Sequence, residues 1–375
     1  MKKTFIKRVF FVLPLISFFA ISSLNAQDEL SVFINSSKED GNKIIKAYAG
    51  PMMEAIGNNF NNGWYTTADP LKKWRFDFRL VASYSVAPDK YKTFNIKDLD
   101  LTYLTSDKDE LPTILGVEDD AATFSIKTAI PNSPGELQYL YSRKVPTLGI
   151  NGFPGFTPQI NLGLPKGTEI MLRALPPLKL PAVDTEPIKT KIFGIGIKHD
   201  IKQWIPVIKH LPFSLSVMGT YSSANLSMDG PFLDENDLLV NFSNTVQQQI
   251  LENQGTVIAN YDEQNFEFDV NSWNLSVLVS KKLPVITFFG GLGLTHSSTT
   301  LTLAGDYPYI ILDQGLNKMI NNSADPINVK VEKTQFGLSG GFRLKLGFMS
   351  LTASGTYSPD GFSSVTAALG FGFFN

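Results

Sequence analysis

From Trp74 onward the chain runs in a two-residue rhythm. "WRFDFRLVASYSV" places Trp74, Phe76, Phe78, Leu80, Ala82, Tyr84 and Val86 on one side, and Arg75, Asp77, Arg79, Ser83 and Ser85 on the other. "SWNLSVLVS" sets Trp273, Leu275, Val277 and Val279 against Ser272, Asn274, Ser276 and Ser280. In "QFGLSGGFRLKLGF", Phe336, Leu338, Phe342, Leu344 and Leu346 oppose Gln335, Ser339, Arg343 and Lys345, and "SVTAALGFGFF" repeats the contrast near the C-terminus. Successive side chains of a strand point to opposite faces, so each segment predicts a strand with one apolar face. Further strands are predicted over 121–130, 157–164, 169–175, 192–198, 213–221 and 285–303. Strands in soluble proteins average about 5–6 residues. These runs reach the roughly 9–11 residues with which a tilted strand crosses a bilayer.

Before Trp74 nothing alternates. "SKEDGNKIIKAYAGPMMEAIGNNFNNGWYTTADP" predicts helix over 39–49 and a second short helix over 51–56, with Pro51 in its first turn, where the missing N–H costs nothing. An Asn- and Gly-rich turn, 57–63, follows, and residues 27–73 read as a small helical plug packed against or inside the strands. A long insert at 229–265, "ENDLLVNFSNTVQQQILENQGTV" within it, carries helix-spaced apolar residues in an acidic frame and reads as an external loop with a helix. Hydrocarbon leaves no water for an unpaired amide, so strands cross it only as a closed barrel, which also removes sheet edges. The expected fold is therefore all-β: a closed antiparallel transmembrane β-barrel over 74–375 with an N-terminal plug. At about 20–25 residues per strand and loop, about 12–14 strands are expected.

Composition supports export to an envelope. Lys2, Lys3, Lys7 and Arg8 precede an apolar run from Val9 to Ile21 and the small-residue site "LNA", the pattern of a signal peptide over 1–26. There is no cysteine, hence no disulfide and no lipidated cysteine near the cut. With 33 Lys and Arg against 35 Asp and Glu, and no basic run, nucleic acid is not an expected partner. Past the signal no stretch of 18 apolar residues predicts a helical span. A periplasmic β-sandwich is the competing architecture.

"DIKQWIPVIKHLP" separates two predicted strands. Ile201, Trp204, Ile205 and Ile208 fall at helical spacing, Lys202, Lys209 and His210 supply a polar side, and Pro206 and Pro212 stop the turn. Amphipathic Trp favours the boundary between lipid and water, so Trp204, Ile205 and Ile208 are expected to anchor a short interfacial helix.

"GIGIKHDIKQWIPVIKHLPFSLSVMGTY", "AYAGPMMEAIGNNFNNGWYTTA" and "PQINLGLPKGTEIMLRALPP" together resemble an uncharacterised family of bacterial outer-membrane barrels, itself similar in plan to the long-chain fatty acid transporters of the FadL type. The resemblance covers most of the chain after the signal. It implies a plugged outer-membrane barrel that passively admits a hydrophobic small molecule as the plug moves. On that reading Met52, Met53, Ile56, Phe60 and Trp64 offer an adaptable apolar surface to the ligand, and outer-membrane lipid is the other partner. The same residues otherwise anchor the plug. The chain departs from the FadL pattern in "GNNFNNGWY", which replaces an Asn-Pro-Ala-Gly type signature, and in its final Asn375. A non-transporting structural or interaction barrel of the envelope, part of a secretion or assembly machine, is the alternative.

Chemistry is sparse. His199, His210 and His296 have no partners at metal-ligand spacing, so no metal and no cofactor are expected. "GLSGG" at 337–341 matches the nucleophile elbow formally, but Ser339 lies in the middle of an alternating run. "FGGLGL" at 289–294 lacks the third glycine and the helix of a dinucleotide site. The acidic sets Asp107, Asp109, Glu110 and Glu118, Asp119, Asp120 lack calcium-loop spacing and read as solvated loops. No enzyme is expected; a lipid hydrolase would need one of the three histidines beside a serine.

Overall fold

The structure, a computed structural model, describes residues 33–34 and 37–372 apart from 120, 131, 181–187, 236–238, 240–246, 249, 251, 253–259 and 313–316. The predicted signal peptide and the last strand's aromatic end lie outside the described residues.

Ten strands form one closed barrel: β1 (Phe76–Val86), β2 (Gly152–Leu164), β3 (Thr168–Leu180), β4 (Ile188–Asp200), β5 (Ser214–Asp229), β6 (Asn265–Lys282), β7 (Ile286–Ala304), β8 (Ile327–Leu346), β9 (Met349–Tyr357) and β10 (Ser363–Gly372). Each pairs antiparallel with its neighbours in sequence, and β1 closes the ring on β10, from Asp77 opposite Gly372 to Val86 opposite Ser363. The wall has ten strands, not the expected 12–14, for two reasons. Strands β5 to β8 are 16 to 20 residues long, well above the length assumed per crossing. The predicted strand near 121–130 also lies outside the wall: Thr123–Ala129 pairs with Leu137–Lys144 and Leu104–Thr105 in a small sheet of the 87–151 connection.

The two ends of the barrel differ. Connections 165–167, 201–213, 283–285 and 347–348 leave one end, here the turn end, and the long connections 87–151, 230–264 and 305–326 leave the other, the loop end. Outer-membrane barrels place short turns in the periplasm and long loops outside. The loop end is uneven, because β5 to β8 rise past Tyr357, where β9 stops, while β1, β9 and β10 are only 9 to 11 residues long.

One helix, α1 (Lys38–Asn61), fills the bore. Ser37 caps it, its hydroxyl accepting from the Asp40 amide at 3.2 Å, and Glu39 and Asp40 complement the helix dipole. The two predicted helices are thus one, and the predicted turn at 57–63 is mostly its last turn. Pro51 sits in the interior, where a solvated helix would break; here packing of the barrel wall around the helix holds it together. Gly57, Asn58 and Asn59 remain helical because wall groups take up the two Asn amides: Asn58 Nδ2 donates to Ser85 Oγ (2.9 Å) and Asn59 Nδ2 to the Phe153 carbonyl (2.9 Å). After Asn61 the chain descends in irregular form to Arg75 and turns into β1.

Candidate functional site

The alternation of the strands resolves into an outside and an inside. On β8 the even positions Phe336, Leu338, Phe342 and Leu346 are exposed, whereas Gln335 and Arg343 are buried in the bore. From Phe336 to Leu346 is roughly 33 Å along the strand. A tilt near 40° reduces it to about 25 Å, the height of an outer-membrane apolar band. Beyond it, towards the loop end, Lys330 and Glu332 pair in the open at 2.7 Å. The band carries aromatic residues at both borders. Towards the loop end lie Tyr84, Tyr221, Trp273 and Tyr357, with Trp273 stacked on His296 at 5.7 Å. Towards the turn end lie Trp74, Phe76, Trp204 and Phe348, all exposed. Among the described residues no helix is long and apolar enough to cross a membrane; the crossing is made by strands.

The bore has two zones. In the loop-end half, Ile44, Ile45, Tyr48 and Met53 of α1 pack on Val329 and Val331 of the wall, and on Leu104 and Phe124 of the 87–151 connection, in one apolar core. Below it the wall is polar. Asn58 is held by Ser85 and by Gln335 Nε2 (2.6 Å), and Gln159 Nε2 donates to the Trp64 carbonyl (2.9 Å). Arg173, fully buried, donates to the carbonyls of Phe60 (3.1 Å) and Asn62 (2.7 Å) and lies over the Trp64 ring at 3.9 Å. Trp64 is wholly buried with Met171, Met218 and Leu278. It fits because Gly194 and Gly196 face it: a Cβ at either would come within 3.0–3.2 Å of the indole. Gly291 makes room for Tyr65 in the same way, since a Cβ there would meet the Tyr65 hydroxyl at 2.8 Å.

Buried ion pairs line the turn end. Asp77 and Arg79, on alternate inward positions of β1, pair at 2.5 Å, and Lys198 of β4 meets Glu169 of β3 at 3.1 Å. Lys198 also donates to the Thr67 carbonyl (3.2 Å), and Glu169 accepts the Leu71 amide (2.8 Å), so both clamp the descending chain. A cavity of about 20 Å³ remains beside them.

The residues expected to bind a ligand are all in the plug. Met53 and Trp64 are buried, while Met52, Ile56 and Phe60 are half-buried against neighbouring apolar side chains. The Met53 carbonyl accepts from Thr299 (3.1 Å), and Trp64 donates to Phe60 of its own segment (2.9 Å). They therefore lie along one path, each against the wall. The expected interfacial anchors sit at the turn end: Trp204 is exposed, Ile205 is exposed and Ile208 is half-buried. The segment forms only a 3-10 turn, Lys202–Trp204, followed by further turns to Phe213, because Pro206 and Pro212 leave no room for a full helix. Trp204 is fixed by its indole N–H donating to His199 Nε2 (2.9 Å), with Thr168 on the other ring nitrogen (2.9 Å).

Other motifs resolve as wall or loop. Ser339 lies mid-strand in β8 and donates to the Gly291 carbonyl (3.1 Å), with the Tyr65 hydroxyl as its second partner. Three of the acidic loop residues pair singly with lysines, Asp109 with Lys97 (2.6 Å), Glu118 with Lys144 (2.6 Å) and Asp119 with Lys108 (2.5 Å), while Glu110 accepts from the Thr93 hydroxyl (2.6 Å) and Asp120 lies outside the described residues. The hydrogen bond from Lys108 holds the Asp119 carboxyl below the usual carboxylate range. The sequence placed Asp77, Arg79 and Arg343 on polar faces but did not single out Glu169, Arg173 or Lys198. The signal was there, since charges inside membrane-length runs rarely face lipid and mark an interior or a functional path.

A closed wall with an apolar belt, two aromatic borders and a polar interior defines the protein as an outer-membrane β-barrel, and it resides in the outer membrane. The chain belongs to the family of unknown function DUF6588, whose profile matches residues 1–373. No protein among the curated sequences matches it. Among solved structures it is similar to Ail, the attachment invasion locus protein of Yersinia pestis, at 9% identity over 80% of this chain and 99% of that one, with a TM-score of 0.25. It is similar also to the translocator domain of the autotransporter NalP from Neisseria meningitidis (9%, 88% and 98%, 0.29). The N-terminal β-barrel domain of Pseudomonas aeruginosa OprF is a third such likeness (10%, 50% and 93%, 0.20). At such identities and scores these likenesses carry no argument, and the assignment rests on the wall's own geometry.

Proposed function

We propose that the protein is a non-transporting envelope barrel that holds a structured platform at the cell surface. The observation that carries this reading is the bore, filled by the chain's own plug from one end to the other. Asp40 at the loop end accepts the amides of Thr102 and Tyr103 (2.9 and 2.6 Å), and Leu71 at the turn end donates to Glu169. The platform is the 87–151 connection, whose Leu104, Leu111 and Phe124 share a core with the top of α1. Conductance of the full chain in planar bilayers tests it. Silent membranes are expected, with stable channels appearing only when residues 38–73 are removed; steady conductance of the intact chain would refute it.

Uptake of a hydrophobic small molecule by a FadL-like route is the second reading. It is favoured by the apolar loop-end zone around Tyr48 and Met53, and it requires α1 to move. Saturable binding of a fatty acid to the purified barrel, competing with burial of Met53, would favour it over the first.

A further inference from the structure

We propose that the 201–213 connection binds the head group of an anionic phospholipid in the periplasmic leaflet of the outer membrane, the leaflet that short turns face. The connection folds back against the outer face of the barrel. On β4 the outward row runs through the exposed Phe193, Ile195 and Ile197 to His199. Trp204 stacks on His199 with ring centroids 6.3 Å apart and donates its indole N–H to it, so the indole lies on the lipid side. Lys202 lies over the Phe213 ring at 5.3 Å and donates to the Leu211 carbonyl. Gln203 Nε2 donates to the carbonyls of Lys166 (2.8 Å) and Asp200 (2.7 Å), which ties the 165–167 turn to the same lobe.

The lobe presents two chemistries together. Its apolar members are open: Val207 is 86% exposed, Trp204 64% and Leu211 44%. An exposed apolar patch is costly in water and is matched by the interfacial zone of a bilayer, where an indole is favoured. Cations accompany it. Segment 201–213 holds Lys202 and Lys209 and no carboxylate, and the 165–167 turn adds Lys166; Lys166 and Lys209 are exposed. Asp200, which borders the lobe, is half-buried and accepts the Lys202 amide (2.9 Å), so it offsets one lysine of the three. The apolar members alone would suit any lipid, and the surplus of cations is what selects. A zwitterionic lipid carries its own cation beside its phosphate, whereas a lipid of net negative charge leaves the phosphate to the lysines. An acidic soluble protein would satisfy the lysines but leave Trp204 and Val207 in water.

Quenching of Trp204 reads the lipid beside it. In the full chain carrying Trp74→Phe and Trp273→Phe, Trp204 is the one indole outside the bore, since Trp64 is buried within it. This protein is folded into phosphatidylcholine vesicles in which the same minor fraction of lipid has brominated acyl chains, as phosphatidylglycerol in one series and phosphatidylcholine in the other. Brominated phosphatidylglycerol should quench Trp204 at least about twofold more strongly. Lys166→Gln together with Lys209→Gln changes two side chains that do not hold the lobe in place. It should remove most of that preference, while quenching by brominated phosphatidylcholine and the folded gel form persist. Equal quenching by the two lipids would overturn the proposal, as would a preference unchanged in the lysine variant. Quenching by neither lipid would put the lobe in water and overturn it as well.

Discussion

Trp64→Ala removes the contact on which the descending plug depends most. The indole is fully buried, stacked under Arg173 at 3.9 Å and seated over Gly194 and Gly196. A buried aromatic removes about 150–250 Å² from solvent, which at about 25 cal/mol/Å² amounts to about 4–6 kcal/mol. Measured Trp→Ala changes in cores run about 3–5 kcal/mol, and a desolvated cation–π contact adds about 2. Arg173 is not stranded by the change, because Gln159 Oε1 (2.9 Å) and the Phe60 and Asn62 carbonyls still accept from it. A loss of about 4–6 kcal/mol is therefore expected. Trp64→Phe keeps an aromatic face under the guanidinium but deletes one ring and the N–H donated to the Phe60 carbonyl, and should cost about half as much, roughly 2–3 kcal/mol. The assay is urea unfolding of the barrel in lipid vesicles, followed by the mobility shift between folded and unfolded forms on unheated gels. A loss below about 1 kcal/mol in the alanine variant would mean that the plug is not seated on the wall through Trp64.

Three further outcomes follow from the same geometry. Lys198→Met leaves Glu169 buried without its cation and should destabilise by about 3–5 kcal/mol, whereas Lys198→Met with Glu169→Gln should recover most of it; equal losses in the single and double variants, read by the same gel assay, would discount the pair. Leu292→Arg, at an outward position half exposed on β7, should cost about 2–4 kcal/mol in vesicles if the residue meets hydrocarbon, and a neutral result would move the apolar band elsewhere. An epitope inserted before Asp28 should bind antibody on intact cells, because α1 begins at the loop end, where Asn42 accepts from the Asn328 amide (2.8 Å) and Lys43 donates to the Asp100 carbonyl (3.1 Å). Binding only after permeabilisation would reverse the assigned orientation.

Much of this was legible along the chain, because the physics involved is local. A strand in a barrel wall meets two different media, and Trp74 to Val86 or Ser272 to Ser280 records that contrast residue by residue. Length of the alternation gives the membrane, and its loss before Trp74 gives the plug. Strand number was not legible, since the 87–151 connection builds small sheets with the same propensities as wall strands, and only pairing partners distinguish them. The continuity of α1 through Pro51 and Gly57 was hidden for a similar reason: those residues end a helix in water, and only an enclosing wall with Ser85, Gln335 and Phe153 in place makes them tolerable. The charges at the turn end show the division most clearly. Sequence put Asp77, Arg79, Arg343 and Lys345 on polar faces of separate strands. Closure of the ring brought them within reach of Glu169, Lys198 and the plug, because interaction across a barrel depends on register and shear, which no single strand encodes.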